Sequence, residues 1–183
     1  MRAWAASRSI PGGLSVPPPC VSARFTPRSP VPVSRSPFPV ILKESPDHHD
    51  ADLVIRLYEL RRDPVMRESR VAVNRTFWPK SAADVLALSA PDHPLNAPYR
   101  QIASYWEMVY GMVKHGVVHA EFMLESNGEG LFLLAKVEPY LKEIRAVMPR
   151  AFVNAEWVAT KTDLGRETYG MYKARVAKAL ESR

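Results

Sequence analysis

The first residues that could do chemistry lie in one segment, residues 104–130, with the sequence SYWEMVYGMVKHGVVHAEFMLESNGEG. It places Glu107 among large aromatic residues and follows it with His115 and His119, which are four positions apart. That spacing allows two imidazoles to bind one metal ion from a single helix face. Gly116 lies between them and is predicted to end the helix. We therefore favour His119 as the cap of the next helix, with zinc binding by the pair as the alternative.

A second polar cluster has the sequence DHHDAD at residues 47–52 and offers two histidines and three carboxylates. These are ligands that divalent metal ions accept. Acidic residues are also explained by capping and by the helix dipole, because the cluster falls where a helix is predicted to begin. The single cysteine, Cys20, excludes a cysteine-rich zinc site and an internal disulfide. We predict no metal site.

The central helix is predicted over residues 97–114, and its polar residues form one narrow stripe. At 100° per residue, aromatic and aliphatic side chains cover the rest of its circumference. An interior glycine costs about 1 kcal/mol relative to alanine, so Gly111 indicates that another helix or a small ligand approaches closely. The stripe consists of Arg100, Ser104, Glu107, Gly111 and Lys114.

Glu107 has two predicted roles. As a carboxylate beside a gap at Gly111, it could contact a ligand or act as a general base. It could instead face solvent or form an ion pair that locks two helices together, the role we favour, with Arg56, Arg61, Arg62 or Arg145 as the partner. The candidate ligand-binding residues are Arg100, Trp106, Glu107 and Lys114.

The chain lacks the short motifs of common enzyme classes. It has no G-x-S-x-G elbow, no phosphate-binding loop, no G-x-G-x-x-G and no C-x-x-C. We accordingly predict no catalytic residue and no cofactor, and we favour a protein that is not an enzyme.

Helical periodicity extends from Pro46 almost to the end of the chain. Predicted helix starts include Asp50, the pair Asp63-Pro64, and the SAAD sequence of residues 81–84, which resembles a capping box. Pro139 should kink or split an apolar run over residues 131–148. A last helix is predicted over residues 166–181. No segment shows strand alternation, so we predict an all-α fold, an irregular bundle of six or seven helices formed by residues 47–183.

Residues 1–46 differ in composition from the rest of the chain. They hold ten of the seventeen prolines, and proline interrupts both helices and sheet ladders. We predict a disordered leader. Its composition, rich in arginine and serine and acid-free over residues 1–42, is typical of a transit peptide, although its prolines oppose the amphipathic helix of such peptides. Alternatively, the leader is a gene-model artefact and translation starts near residues 40–42.

The net charge of +6 is concentrated in this leader. Residues 1–42 carry five arginines and no acid, whereas the remaining twenty basic and nineteen acidic side chains nearly cancel. The helical part therefore lacks an evident source of counterion release, and we predict no nucleic-acid partner, with binding by the leader as the alternative. No segment approaches the roughly 18 apolar residues of a membrane span, so we also predict no membrane association.

Two segments, YWEMVYGMVKHGVVHAEFM and GLFLLAKVEPYLKEIRAVM, together resemble a group of uncharacterised bacterial helical proteins, domains of unknown function. The pattern is an aromatic pair with glutamate, an apolar helix, a basic residue and glycine, then a second helix ending in arginine. The resemblance covers about residues 50–160 and implies a helical fold and a bacterial cytoplasmic setting, without any chemistry. The chain departs from the pattern at His119, where acids are common. The matching residues are Tyr105, Trp106, Glu107, Lys114, Gly116 and Arg145.

We expect, from these observations, a small helical protein that acts as an interaction or regulatory module without catalytic activity. Its partner would be another protein or a second copy, bound through an exposed apolar helix face. The alternative is a ligand- or metal-binding bundle, possibly an enzyme, that uses Glu107 with His115, His119 or the cluster at residues 47–52.

Overall fold

A computed structural model describes residues 42–182, and within them every regular element is helical. The all-α prediction is confirmed. There are nine α-helices in this part of the chain, more than the six or seven predicted, because short segments form separate helices. They are α1 (His48–Arg62), α2 (Pro64–Thr76), α3 (Ala82–Ala87), α4 (Asn96–Lys114), α5 (Ala120–Asn127), α6 (Gly130–Val137), α7 (Leu141–Val147), α8 (Val153–Lys161) and α9 (Asp163–Glu181).

The helix starts follow local capping chemistry. The Asp63 side chain accepts from the Val65 and Met66 amides ahead of α2, and Ser81 and Asp84 form a capping box at α3, as predicted. The prediction of Asp50 as the cap of α1 is wrong by three residues. Asp47 is the N-cap, and Asp50 is the third residue of the helix and completes a capping box with it.

The helix α4 lies at the centre of the fold and packs against both α2 and α8. Its aromatic residues are buried, and the hydroxyls of Tyr105 and Tyr110 donate to the carbonyls of Leu57 and Asn127 at 2.7 and 3.1 Å. Buried hydroxyls need such partners, because an unpaired polar group in the core is costly. Gly116 ends this region with φ of 66°, as predicted for a left-handed terminator.

The second half of the chain covers α4 with shorter helices. Every residue of α6 is buried. Pro139 lies in a single 3₁₀ turn, Glu138–Tyr140, which separates α6 from α7 and so confirms the predicted split. Helix α9 begins three residues earlier than predicted, because Thr162 rather than a later residue supplies the cap, through a hydrogen bond from the Gly165 amide.

The predicted leader lies outside the described residues, apart from residues 42–46, which form no helix or strand. The disorder and gene-model hypotheses for the leader therefore stay predictions. Among residues 42–182, no helix combines the length and the apolar composition needed to cross a membrane.

Candidate functional site

The side chain of Glu107, a residue of α4, reaches the start of α8. Its two carboxylate oxygens accept hydrogen bonds from the backbone amides of Asn154 and Ala155, at 3.0 and 2.9 Å. These amides belong to the first turn of the helix, where N–H groups have no partner inside the helix and the dipole favours a negative charge. Glu107 therefore caps the N-terminus of α8 from a different helix. Phe152, the N-cap residue of α8, supplies no side-chain cap of its own.

The predicted ion pair of Glu107 is not found: among residues 42–182 no arginine forms one with it. Arg145 instead holds the loop just before α8. Its guanidinium donates to the carbonyls of Ala151 and Phe152 at 3.0 and 3.3 Å and pairs with Glu156 at 2.8 Å. Glu107 from α4 and Arg145 from α7 thus both bind the N-terminal end of α8. They do not form an ion pair with each other.

Asn154 explains the glycine in the stripe. Its side-chain amide donates to the Glu107 carbonyl at 2.9 Å, and a Cβ on Gly111 would lie 3.1 Å from its nitrogen. Lys114 donates to the side-chain oxygen of Asn154 at 3.2 Å. The close approach predicted at Gly111 is confirmed, and what approaches is the first turn of α8.

The four candidate ligand-binding residues do not converge. Glu107 and Lys114 meet at Asn154. Trp106 is buried in the core and stacks on Tyr110, with ring centroids 5.6 Å apart. Arg100 is exposed and lies about two helical turns before Glu107. A ligand-binding role for these residues stays a prediction.

The histidines and the acidic cluster have structural partners. The Nδ1 atom of His119 accepts from the Phe122 amide at 3.2 Å and so caps α5, as predicted, while His115 is exposed at the end of α4. Asp50 is completely buried, and its carboxylate accepts from the Lys43 ammonium at 2.9 Å and from the His119 amide at 3.1 Å. Within residues 42–182, no three His, Cys, Asp or Glu residues come together in an arrangement that could hold a metal ion.

Residues 46–162 match the model of a family described as Domain of unknown function (DUF4760). The chain belongs to this family. The match extends from just before α1 to the end of α8 and includes Glu107, Arg145 and the helix start that they fix. Neither a curated protein nor a solved structure matches the chain significantly.

The DUF4760 region also carries a cluster of exposed apolar side chains. Six of the ten large apolar side chains that are exposed within residues 42–182 belong to α1, α2 or α4. Helical periodicity predicts Leu53, Val54, Leu57, Tyr58 and Leu60 as one apolar face of α1, and this prediction is partly wrong, because Tyr58 and Leu60 are 42% and 54% exposed. The exposed set is Ile55, Tyr58, Leu60, Val65, Val71 and Met108, which we call the α1–α2–α4 surface.

Two adjoining recesses connect four of these side chains, Ile55, Tyr58, Leu60 and Met108. A recess of about 920 Å³ runs along the outer side of α1 from Ile55 to Asp63. A second, of about 390 Å³, shares Leu60 and Asp63 with it and extends to Met108 of α4. Single exposed apolar residues are ordinary on protein surfaces, whereas a contiguous group is typical of an interaction site. No sequence pattern pointed to this group, because its members come from three helices.

Proposed function

We propose that this DUF4760 domain is a non-catalytic interaction module that pairs with a second copy of itself through α1. The observation that carries the proposal is the α1–α2–α4 surface, with six large apolar side chains exposed on three helices, three of them on α1. Burying such side chains is the main favourable contribution to protein association. The proposal retains the cytoplasmic setting expected from the sequence and includes no nucleic-acid partner, since charge is nearly balanced outside the leader.

The order of charges along α1 supports self-pairing. Asp52, Ile55, Glu59 and Arg62 are spaced by three, four and three residues, the spacing of a helix seam, and all four are exposed. A twofold axis at the level of Leu57 would pair two α1 helices antiparallel. Asp52 would then face Arg62 of the second copy, and each contact would occur twice.

Beside the seam, an aromatic ring already carries cations. Tyr58 has the guanidinium groups of Arg61 and Arg62 at 5.2 and 5.7 Å from its ring centroid. Arginine stacked on tyrosine is common at protein interfaces.

The experiment is analytical ultracentrifugation of the full chain over a range of concentrations, with a charge-swap series. Arg62→Glu would place a negative charge opposite Asp52 of the second copy. The repulsion between these two carboxylates is expected to weaken dimerisation by about tenfold or more. The double variant Asp52→Arg, Arg62→Glu restores opposite charges and should recover much of the affinity. Lys142→Glu, an equal charge change on the exposed side of α7, is the control and should dimerise like the natural chain.

A chain that stays monomeric at high micromolar concentration would overturn self-pairing. A dimer that tolerates Arg62→Glu would place the interface elsewhere and overturn the role of α1.

A further inference from the structure

A recess of about 590 Å³ lies among the end of α2, the start of α6 and the middle of α9. Three aromatic rings form its walls. The ring of Phe132 lies between the other two, with centroid distances of 6.0 Å to Trp78 and 5.4 Å to Tyr172. The volume is within the range of 300 to 1,000 Å³ that is typical of small-molecule sites. Three of its eight lining residues come from α9, outside the residues that match the family model.

Positive charge surrounds these rings. Arg75 and Arg175 line the recess and are exposed, and neither forms an ion pair within residues 42–182. The Arg175 guanidinium lies 5.0 Å from the Phe132 ring centroid. Lys136 is buried beneath the rings, with its ammonium 4.2 Å from the centroid of Trp78 and 4.6 Å from that of Phe132. Cations over aromatic faces are attracted electrostatically by the ring quadrupole.

The single acidic residue of the lining is already neutralised. Glu129 accepts from the Arg70 guanidinium at 2.9 and 2.5 Å, in a two-pronged pair, and from the Asn74 side chain at 2.8 Å. Such a charge-assisted pair sets one positive charge beside the carboxylate, so Glu129 and Arg70 together add no net charge to the recess. The recess therefore combines flat apolar walls with a surplus of positive charge from arginine.

Tyr172 adds a hydrogen-bond donor. Burial and then the charge of Glu129 raise the pKa of its hydroxyl, so that it stays protonated at neutral pH. Its hydroxyl has no hydrogen-bond partner within the part of the chain that the structure describes.

We propose that this recess binds a small aromatic anion, a molecule in which a flat ring is joined to a phosphate or carboxylate group. The ring would stack against the partly exposed rings of Trp78 and Tyr172, because aromatic faces contribute favourably to such contacts. The anionic group would be bound by Arg75 and Arg175, whose planar guanidinium groups form paired hydrogen bonds to phosphate and carboxylate oxygens.

The experiment is isothermal titration calorimetry of the full chain with four probes that separate the two halves of the ligand. Adenosine monophosphate and naphthoate carry both a ring and an anionic group, whereas adenosine has only the ring and inorganic phosphate only the charge. We expect at least one of the first two to bind about tenfold more tightly than adenosine and phosphate do. Which of the two binds distinguishes a phosphate ligand from a carboxylate ligand.

Matched variants locate the site. Arg75→Gln and Arg175→Gln should each weaken binding by about tenfold, the expected effect of losing a charge-assisted hydrogen bond. Lys173→Gln removes the same charge from α9, about 200° around the helix from Arg175, where Lys173 lies over the Tyr169 ring. This control should bind like the natural chain, and thermal melts establish that all three variants fold.

Two results would overturn the proposal. One is a titration in which neither ring-bearing anion binds more tightly than adenosine or phosphate. The other is unchanged affinity in both arginine variants, which would place any binding outside this recess. Because the recess and the α1 seam share no residue, either outcome leaves the proposed self-pairing to be judged by its own experiment.

Discussion

Glu107 shows how one carboxylate can resemble a catalytic residue and still have a structural task. It is half-buried on a central helix among aromatic residues, a setting that also favours ligand binding. Its oxygens, however, are occupied by the amides of Asn154 and Ala155. A carboxylate that accepts two backbone N–H groups contributes to stability whether or not a ligand is present.

Replacing Glu107 should therefore change stability. We expect Glu107→Ala to lower the free energy of unfolding by about 1 to 2 kcal/mol, the usual effect of losing a helix cap. Glu107→Gln should cost less, because its amide oxygen still accepts one N–H group. Urea titration followed by circular dichroism measures both values. The control is Glu125→Ala, an exposed glutamate of α5, which should stay within about 0.5 kcal/mol of the natural chain.

Unchanged stability in Glu107→Ala would contradict the capping role and return Glu107 to the ligand-binding candidates.

At the scale of elements, the contact between α4 and α6 depends on the absence of a side chain at Gly130. A Cβ built there would lie 2.5 Å from the Trp106 ring and 2.7 Å from the Tyr110 ring. Both rings are buried and stacked on each other, so neither can move aside without disturbing the core. The first turn of α6 approaches α4 this closely only because residue 130 is glycine.

The same substitution at two glycines should have opposite effects. Gly130→Ala is expected to lower the free energy of unfolding by about 1 to 3 kcal/mol, through overpacking against Trp106 and Tyr110. Gly170→Ala, in the middle of α9, has no atom within 4 Å of the added Cβ. It should raise the free energy of unfolding by about 0.5 to 1 kcal/mol, because alanine is the better helix former. Chemical denaturation of both variants tests the pair.

Equal stability of the Gly130→Ala and Gly170→Ala variants would contradict the close packing of α6 on α4.

At the scale of the whole molecule, the features that were predictable from the sequence are those set by residues close together in the chain. The cap at Asp63-Pro64, the capping box from Ser81 and the break at Pro139 all depend on neighbours within four positions. The predicted cap of α1 is wrong because Asp47 and Asp50 are both members of one capping box, and an aspartate at either position is typical of a helix start.

The contacts that the sequence did not predict join residues far apart. Glu107 meets the amide of Asn154 across 47 positions, and Arg75 and Arg175 line one recess although a hundred positions separate them. Neither pair has a characteristic spacing, because its geometry is set by how helices pack. The exposure of Leu60 was unpredictable for the same reason. Periodicity identifies the apolar face of a helix, but it does not identify the part of that face that another helix covers.

Asp50 connects two distant parts of the fold, the first helix and the loop before α5, through its hydrogen bond from the His119 amide. Burial alone would raise the pKa of its carboxyl, but hydrogen bonds from Lys43 and from the Asp47 and His119 amides lower it overall below the ordinary value of 3.8. A carboxyl whose pKa is lowered by folding stabilises the protein above its unfolded pKa, and this contribution disappears as the pH falls through the folded pKa.

Asp50→Asn should accordingly destabilise the protein in a pH-dependent manner. At pH 7 we expect a loss of about 1 to 3 kcal/mol, because the buried site keeps its donors and loses the charge that they bind. The difference from the natural chain should persist down to about pH 4, near the unfolded pKa of aspartate, and shrink below it. Urea titrations at several pH values measure this difference, with Asp52→Asn, an exposed position of α1, as the matched control. A gap of constant size from pH 7 to pH 2 would show that Asp50 acts through its shape rather than its charge.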